Sequence, residues 1–357
     1  MTEERNQQIP FGEVVKARCK GAIRTLPTDS PWLPLHVALW NQIPKIEWTR
    51  VQPEAEINGV IGSTFASLHY AHIKTGRPYL QNFGVTDPKH WDAVFDNVLN
   101  HKEMTKIFYE NLCRPHITVI PSRGVPIQYI LKDAFAGKED LITGVDLGAG
   151  IGIALPLLNS PLYAQADFPH KDLLLNKFGG DSDVQVSYGV SVDRQNWRED
   201  RDWVKASIWP DAKGVTSFEQ IDDLFGEALA EDKVHNFPFL THDVLADDCF
   251  ERIKRELQKA NHNTPVDFVV TSYLRYQLGS PDSLAQGKLL YLINSLLKEG
   301  GIWIDMGEEL LTNEGAKTKS KVVVYKKVDD ALQRQGVPFV LKYQNEIETV
   351  DLDYFHI

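Results

Sequence analysis

The chain has 357 residues, of which 43% are hydrophobic, ample for a packed core. Its 38 basic and 49 acidic residues give a formal net charge of −11. This balance argues against nucleic acid as the main partner, because phosphate binding depends on clustered Lys and Arg. No run approaches about 18 uninterrupted apolar residues, so no transmembrane helix is expected.

Residues 1 to 135 show helical patterns and no alternation of strands with helices. Helices are predicted for Glu13–Ile23, Ile61–Ile73 and Trp91–Leu112, where apolar residues recur at helical spacing. Prolines interrupt the stretch between the first two segments. The sequence therefore predicts a helical N-terminal cap for substrate recognition (1–135) and a second domain (136–357) with an insertion around 193–236.

From Leu141 onward strands alternate with helices, which indicates an α/β fold with a mainly parallel sheet and helices on both faces. The predicted strands are Ile142–Leu147, Val184–Val192, Pro238–Thr241, Val266–Thr271 and Gly301–Asp305. A late helix, Val328–Gln335, is predicted to precede two closing strands, Phe339–Tyr343 and Glu348–Tyr354.

A glycine-rich turn follows the first predicted strand. Residues 145–152 read VDLGAGIG, with Gly148, Gly150 and Gly152 at alternate positions. Glycines allow backbone torsions closed to other residues and let a ligand approach the main chain. The dinucleotide pattern G-x-G-x-x-G would need a glycine at Ile153, so the spacing favours another ligand. A purely structural turn is the alternative.

The glycine run resembles the first motif of S-adenosylmethionine (SAM) dependent class I methyltransferases. The resemblance implies SAM as the cofactor, with Asp146, Ala149 and the three glycines lining its methionine and ribose portions. It also implies a Rossmann-like, seven-stranded sheet that is mostly parallel and ends in an antiparallel hairpin. The two closing strands fit that hairpin.

Carboxylates at later strand ends are candidates for the rest of the cofactor. A ribose needs a carboxylate that accepts hydrogen bonds from both hydroxyls. Asp167 has the usual spacing from the glycine turn, whereas Asp193 ends the stronger, β-branched strand. Asp167 and Asp193 are therefore both candidates for the ribose ligand, with Asp193 slightly preferred. The resemblance further implies that Asp243, followed by Val244, accepts from the adenine amino group.

Further candidates lie before the glycine turn and after the fourth predicted strand. The resemblance places Thr271, Ser272 and Tyr273 beside the transferable methyl, with Tyr273 as a catalytic candidate. Packing under a loop is an equal alternative for Tyr273. Arg123 is a candidate for the SAM carboxylate, because a guanidinium binds carboxylates through two parallel hydrogen bonds. A surface arginine is the alternative.

His69 and His72 could share a helix face at i, i+3 and are further catalytic candidates, as general bases. A structural histidine is the alternative for each. A zinc site needs about three or four ligands, and no third one is apparent nearby. No metal site is therefore predicted.

A closer resemblance extends over residues 55–305. The Gly189–Asp193 strand and the Trp209–Asp211 run are similar to those of a bacterial family of methyltransferase-like proteins of unknown function. Family members usually carry a Gln-Thr-Asn-Glu-x-x-Arg run where this chain has Ile120–Gln128. Their glycine motif is often degraded, whereas here it is intact, which favours SAM binding.

These features predict an enzyme, a SAM-dependent methyltransferase that modifies an O, N, S or C nucleophile of a small molecule, in specialised metabolism. A protein carboxyl or side-chain methyltransferase and a non-catalytic SAM-binding protein are the alternatives. The expected partner is a small-molecule methyl acceptor, with no nucleic acid and no membrane. Such enzymes often pair, which implies a homodimer. Three scattered cysteines (Cys19, Cys113, Cys249) and a polar N-terminus predict a reduced, cytoplasmic protein.

Overall fold

A computed structural model describes most of the chain, in two compact units. The described residues are 11–26, 28, 30, 32–50, 57–77, 87–112, 114, 124–137, 141–158, 168–179, 184–207, 223, 226–262, 264–278, 280, 282–310, 319–342 and 346–357. One unit is helical and combines Met1–Val119 with Glu199–Ile221. The other contains the sheet and combines Ile120–Arg198 with Asp222–Ile357.

The helices and strands of the described residues are as follows. The helices are α1 (Phe11–Thr25), α2 (Trp32–Gln42), α3 (Ile57–Lys74), α4 (Pro88–Leu99), α5 (Lys102–Asn111), α6 (Gly124–Ala134), α7 (Ala154–Leu157), α8 (Lys171–Phe178), α9 (Arg201–Ala206), α10 (Glu231–Asn236), α11 (Cys249–Lys259), α12 (Leu274–Gln277) and α13 (Leu284–Leu296). The strands are β1 (Ile142–Leu147), β2 (Val186–Asp193), β3 (Phe239–Thr241), β4 (Val266–Ser272), β5 (Leu297–Leu310), β6 (Lys319–Val328), β7 (Ala331–Lys342) and β8 (Glu346–Val350).

The helical unit confirms two of the three predicted helices, as parts of α1 and α3. The third, predicted as one helix over Trp91–Leu112, is wrong because the structure has two, α4 and α5. His101 has an extended backbone with φ −111°, and its ring Nδ1 accepts the Met104 N–H at 3.5 Å. That cap begins a new helix, and an extended residue cannot continue the old one. Pro34 lies in the first turn of α2, where a missing N–H costs no intrahelical hydrogen bond.

The boundary between the units differs from the prediction at residue 135. Helix α6 belongs to the sheet unit, where Gly124–Lys132 are all buried. Its Gln128 donates to the Leu158 carbonyl at 3.0 Å, and its Tyr129 ring lies 5.7 Å from that of Phe168. In the other direction, segment 199–221 of the predicted insertion belongs to the helical unit. Burial, which sequence position does not reveal, accounts for the membership of α6.

One sheet contains all eight described strands, in the order β3-β2-β1-β4-β5-β6-β7-β8. The strands from β3 to β5 are parallel, whereas β6, β7 and β8 each pair antiparallel with the strand before them. The predicted α/β fold, with a parallel sheet and closing antiparallel strands, is confirmed. One face of β1 is apolar: Val145 and Leu147 pack in a cluster with Ile253 of α11 and Leu289 of α13.

The C-terminal strands differ from the prediction in one element. The helix predicted over Val328–Gln335 is wrong, because β6 and β7 occupy this stretch as a hairpin. Asp329 and Asp330 form its turn with φ of 51° and 59°. Two positive φ values match the strand twist in a two-residue hairpin turn, and Asp tolerates them better than most residues. The described sheet consequently has eight strands, not the seven that the resemblance implied.

The strand order places the candidate ligand crevice at β1. The chain runs from β1 outward to β2 and β3, then returns to the other side of β1 with β4. In open parallel sheets, ligands bind at the carboxyl ends of the strands where the order reverses. The carboxyl end of β1 is therefore the expected site. No helix among the described residues is long and apolar enough to cross a membrane.

Candidate functional site

The glycine turn follows β1 directly and is tied to β2. Gly148, Gly150 and Gly152 have φ of 70°, 55° and 64°, a region that side chains disfavour. The N–H groups of Gly148 and Ala149 donate to the Val192 carbonyl at 2.9 and 3.1 Å. A Cβ at Gly152 would lie 2.5 Å from the Phe239 ring. The alternate glycines are thus required by torsion, and at Gly152 also by space.

Asp193, at the end of β2, lies against this turn. Its Oδ2 accepts the Gly150 N–H at 2.9 Å. Burial raises the pKa of Asp193, and the N–H groups of Gly150 and Gln195 oppose that rise. The structure therefore brings together the glycine turn and one of the two carboxylates predicted for a ribose. The other, Asp167, lies outside the described residues, as does Arg123.

Asp146 precedes the turn and is 2% exposed. Its Oδ1 is buried and accepts no hydrogen bond from the described residues. Burial raises the pKa of Asp146 to about 7, the charge of Asp193 adds to the rise, and Arg198 opposes it. Near neutral pH the group is poised between its neutral and charged forms.

Arg198 is a site residue that the sequence patterns do not reveal. It lies in a short 3-10 turn, Trp197–Glu199, after β2. Its Nη1 donates to the Phe237 carbonyl at 3.1 Å, and its Nη2 donates to the Gly152 carbonyl. Burial lowers the pKa of Arg198 to about 10, against the attraction of Asp146, so the guanidinium stays charged at neutral pH. Both bonded carbonyls are distant in sequence, so no local motif exposes the contact.

Asp243 lies just after β3 and is partly exposed. Its Oδ1 accepts the Leu245 N–H at 2.9 Å, and its Oδ2 lies 3.0 Å from Arg194 Nη2. Burial acts to raise the pKa of Asp243, but the Leu245 N–H and the Arg194 guanidinium hold it below its ordinary value. The neighbouring Val244 side chain is buried in the core, so only its backbone could meet a ligand. His242 is paired with Asp248 at 2.8 Å.

The segment at the end of β4 has mostly internal partners. Thr271 Oγ1 donates to Asp305 Oδ1 at 2.8 Å, and Ser272 Oγ lies 3.7 Å from Met306 Sδ. Tyr273 has a left-handed backbone with φ 58°, and its hydroxyl shares a hydrogen bond of 2.7 Å with Ser320 Oγ. A left-handed non-glycine residue at a strand end is a form of strain found at functional sites. Each of these three hydroxyl groups nevertheless has a partner within the sheet unit, which a structural role also explains.

His69 and His72 are both buried within α3 of the helical unit. His69 Nδ1 lies 3.0 Å from the Ala206 carbonyl oxygen, which can only accept, so this nitrogen is the donor. Burial lowers the pKa of His69 to about 4 and that of His72 to about 3. Both rings are neutral at pH 7 and are weak bases there. A group of three or more ligands able to hold a metal ion is not found among the described residues.

The five parallel strands, with the glycine turn after β1 and antiparallel strands at the β5 edge, form the Rossmann-like arrangement that the resemblance to methyltransferases implied. No family model matches the chain, and no curated protein matches it either. Solved structures do match, at low similarity.

One is a Listeria monocytogenes protein assigned to the class I SAM-dependent methyltransferases, at 12% identity and a TM-score of 0.29, covering 83% of this chain and 73% of that one. Another is an O-methyltransferase family protein from Burkholderia thailandensis, at 12% identity and a TM-score of 0.30, covering 79% of this chain and 55% of that one. The CalO1 methyltransferase of calicheamicin biosynthesis, with S-adenosylhomocysteine (SAH) bound, matches at 13% identity and a TM-score of 0.25. The match covers 84% of this chain and 77% of that one.

This chain thus spans little more than half the length of the Burkholderia protein. These three proteins are all assigned to the methyltransferases, but their identities and TM-scores are too low to argue for an activity. The fold assignment rests on the strand order and the glycine turn of this chain.

Proposed function

We propose that this protein is a SAM-dependent methyltransferase that acts on a small molecule. One observation carries the proposal: Asp193 at the end of β2 holds the Gly150 N–H of the turn after β1, at 2.9 Å. A carboxylate and a glycine turn then lie together at the switch point of a parallel sheet. That combination suits a ligand with a ribose and a charged tail.

The residues of the turn fit SAM in two respects. The φ values of Gly148, Gly150 and Gly152 (70°, 55° and 64°) disfavour side chains at these positions, so a ligand would meet only main-chain atoms of these three residues. The buried Asp146 Oδ1 lacks a hydrogen-bond donor among the described residues, and an ammonium group could supply one. In this proposal Asp146 and the turn hold the methionine portion, Asp193 the ribose, and Asp243 with the Val244 backbone the adenine.

When bound, SAM supplies an electrophilic methyl group, whose bond to sulfur breaks as the bond to the acceptor forms, leaving SAH. The protein's part is to fix the donor and to exclude water while an acceptor lies in line with the methyl. Thr271, Ser272 and Tyr273 close the β4 end of this site in the proposal. A hydroxyl or ammonium acceptor also needs a base for its proton, and Tyr273 stays a candidate for that role. His69 and His72 are the other candidates, but pKa values of about 4 and 3 make them weak bases at neutral pH.

A small-molecule acceptor is supported by the acidic chain, which has a net charge of −11 and no predicted basic groove. In the proposal the helical unit supplies substrate recognition, and the protein is cytoplasmic. Cys19 and Cys249 are free and buried, and burial raises the pKa of each thiol to about 12. Such thiols are unreactive at neutral pH, consistent with a reduced state.

Two measurements test the proposal. Calorimetry with SAM and SAH should show binding of both, and binding of neither would exclude the enzyme. Cell extract incubated with the protein and SAM carrying a deuterated methyl group should then gain the label in its small-molecule fraction. Label in the protein fraction would indicate a protein methyltransferase. Binding without labelling of either fraction would indicate a non-catalytic SAM-binding protein.

A further inference from the structure

Three buried polar atoms lie without a partner among the described residues near the glycine turn. They are Asp146 Oδ1, Ser191 Oγ and Arg198 Nε. Asp146 and Ser191 are paired in register on β1 and β2, so their side chains are on the same face of the sheet. Buried polar groups are nearly always paired, and several unpaired ones at one place indicate a functional constraint.

Arg198 binds the main chain of two separate segments, the glycine turn and the residue before β3. One guanidinium nitrogen donates to the carbonyl of Gly152, at the end of the glycine turn, and another to the carbonyl of Phe237, just before β3. The guanidinium also lies 5.2 Å from the centre of the Phe239 ring. A planar, permanently charged group with several donors can make these contacts together, whereas an ammonium cannot reproduce its fork.

Arg198 also acts on the charge of Asp146. The charged groups that influence the Asp146 carboxyl are Asp193, which disfavours ionisation, and Arg198, which favours it. The pKa of Asp146 is about 7 with the guanidinium in place. Removing the guanidinium would raise it further and leave the carboxyl protonated at neutral pH. A protonated carboxyl is a poor acceptor for an ammonium group.

We propose that Arg198 is a positioning residue of the cofactor site, which holds the glycine turn by the Gly152 carbonyl and balances the charge of the Asp146 carboxylate. This inference rests on the proposed function, because it assigns Asp146 to the cofactor. Arg198 acts through the turn and through Asp146 and need not touch the ligand.

The test is the affinity for SAH measured by calorimetry between pH 6 and pH 8.5. Wild-type affinity should rise with pH through about 7 as Asp146 ionises. Arg198→Met should bind about tenfold more weakly at pH 7, with the rise displaced to higher pH. Arg198→Lys, which keeps the charge but not the fork, should keep the wild-type pH profile and lose part of the affinity. Arg252→Met removes an exposed arginine of α11 and should match the wild type at every pH.

The outcomes separate this inference from the proposed function. If the wild type binds SAH and a folded Arg198→Met variant keeps its affinity and pH profile, the role of Arg198 is overturned and the cofactor site stands. If the wild type does not bind SAH, both are overturned. If Arg198→Met does not fold, two other variants test the inference: Asp146→Asn and the double variant Asp146→Asn/Arg198→Lys. Both should bind SAH with an affinity that does not rise with pH. A rise of SAH affinity with pH in either variant would overturn the inference.

Discussion

The Gly150 N–H donates to Asp193 Oδ2 at 2.9 Å, so the turn after β1 and the end of β2 are joined by a charge-assisted hydrogen bond. We expect Asp193→Asn to weaken SAH binding about tenfold, because the amide is a weaker acceptor for both the turn and a ribose. Calorimetry measures the change. Asp247→Asn removes an exposed carboxylate paired with Lys288 and should leave the affinity unchanged. Equal affinities of the two variants would exclude Asp193 as a ligand.

The sequence predicted the centre of the sheet well because the information there is local. The strand β1 and its glycines are adjacent in the chain, and β-branched residues mark β2 up to Asp193. The role of Arg198 was not predicted because its contacts are not local. Its partners, the carbonyls of Gly152 and Phe237, are backbone groups from distant segments. A carbonyl has no sequence signature, so only the folded chain reveals that contact.

The wrong late helix has a similar physical origin. The sequence predicted a helix over Val328–Gln335, yet Asp329 and Asp330 form a hairpin turn with positive φ. Pairing of β7 with both β6 and β8 outweighs the local preference of the segment. Tertiary pairing of this kind cannot be read from a window of about ten residues.

Gly152 provides a test of the turn's geometry. We expect Gly152→Ala to lower the free energy of unfolding by about 1–3 kcal/mol, because its φ is 64° and a Cβ would lie 2.5 Å from the Phe239 ring. SAH affinity should fall as well, since the turn must shift. Urea unfolding and calorimetry measure the two effects.

Gly287→Ala is the matched control for Gly152→Ala. Gly287 lies within α13, and a Cβ there would meet no atom within 4 Å. Alanine should therefore stabilise the helix by about 0.5–1 kcal/mol and leave SAH affinity unchanged. Equal stabilities of the two variants would contradict the strained conformation assigned to Gly152.

Asp146 should make the stability of the protein depend on pH. Its folded-state pKa of about 7 lies above the ordinary value of 3.8. Between these values the folded protein binds more protons than the unfolded chain, so its stability falls as the pH rises. Without ligand, the Tm of Asp146→Asn relative to the wild type should increase by about 3 °C or more between pH 4 and pH 8.

Scanning calorimetry over that pH range measures the difference in Tm, and Asp247→Asn is the control. The control removes an exposed carboxylate, so its Tm relative to the wild type should stay nearly constant with pH. SAH affinity of Asp146→Asn should decrease at pH 8, where the wild-type carboxylate is charged. A constant Tm difference for Asp146→Asn would show that Asp146 is not desolvated in the folded protein.

Arg194 Nη2 lies 3.0 Å from Asp243 Oδ2, and both side chains are exposed. If Asp243 accepts from adenine, the guanidinium competes for the same carboxylate. Exposed ion pairs contribute about 0.2–1 kcal/mol, so Arg194→Ala should bind SAH about two- to fivefold more tightly at low salt. The gain should shrink at high salt, which screens the pair. Arg255→Ala, an exposed change on α11, should have no effect; weaker binding by Arg194→Ala would show that the guanidinium holds the ligand instead.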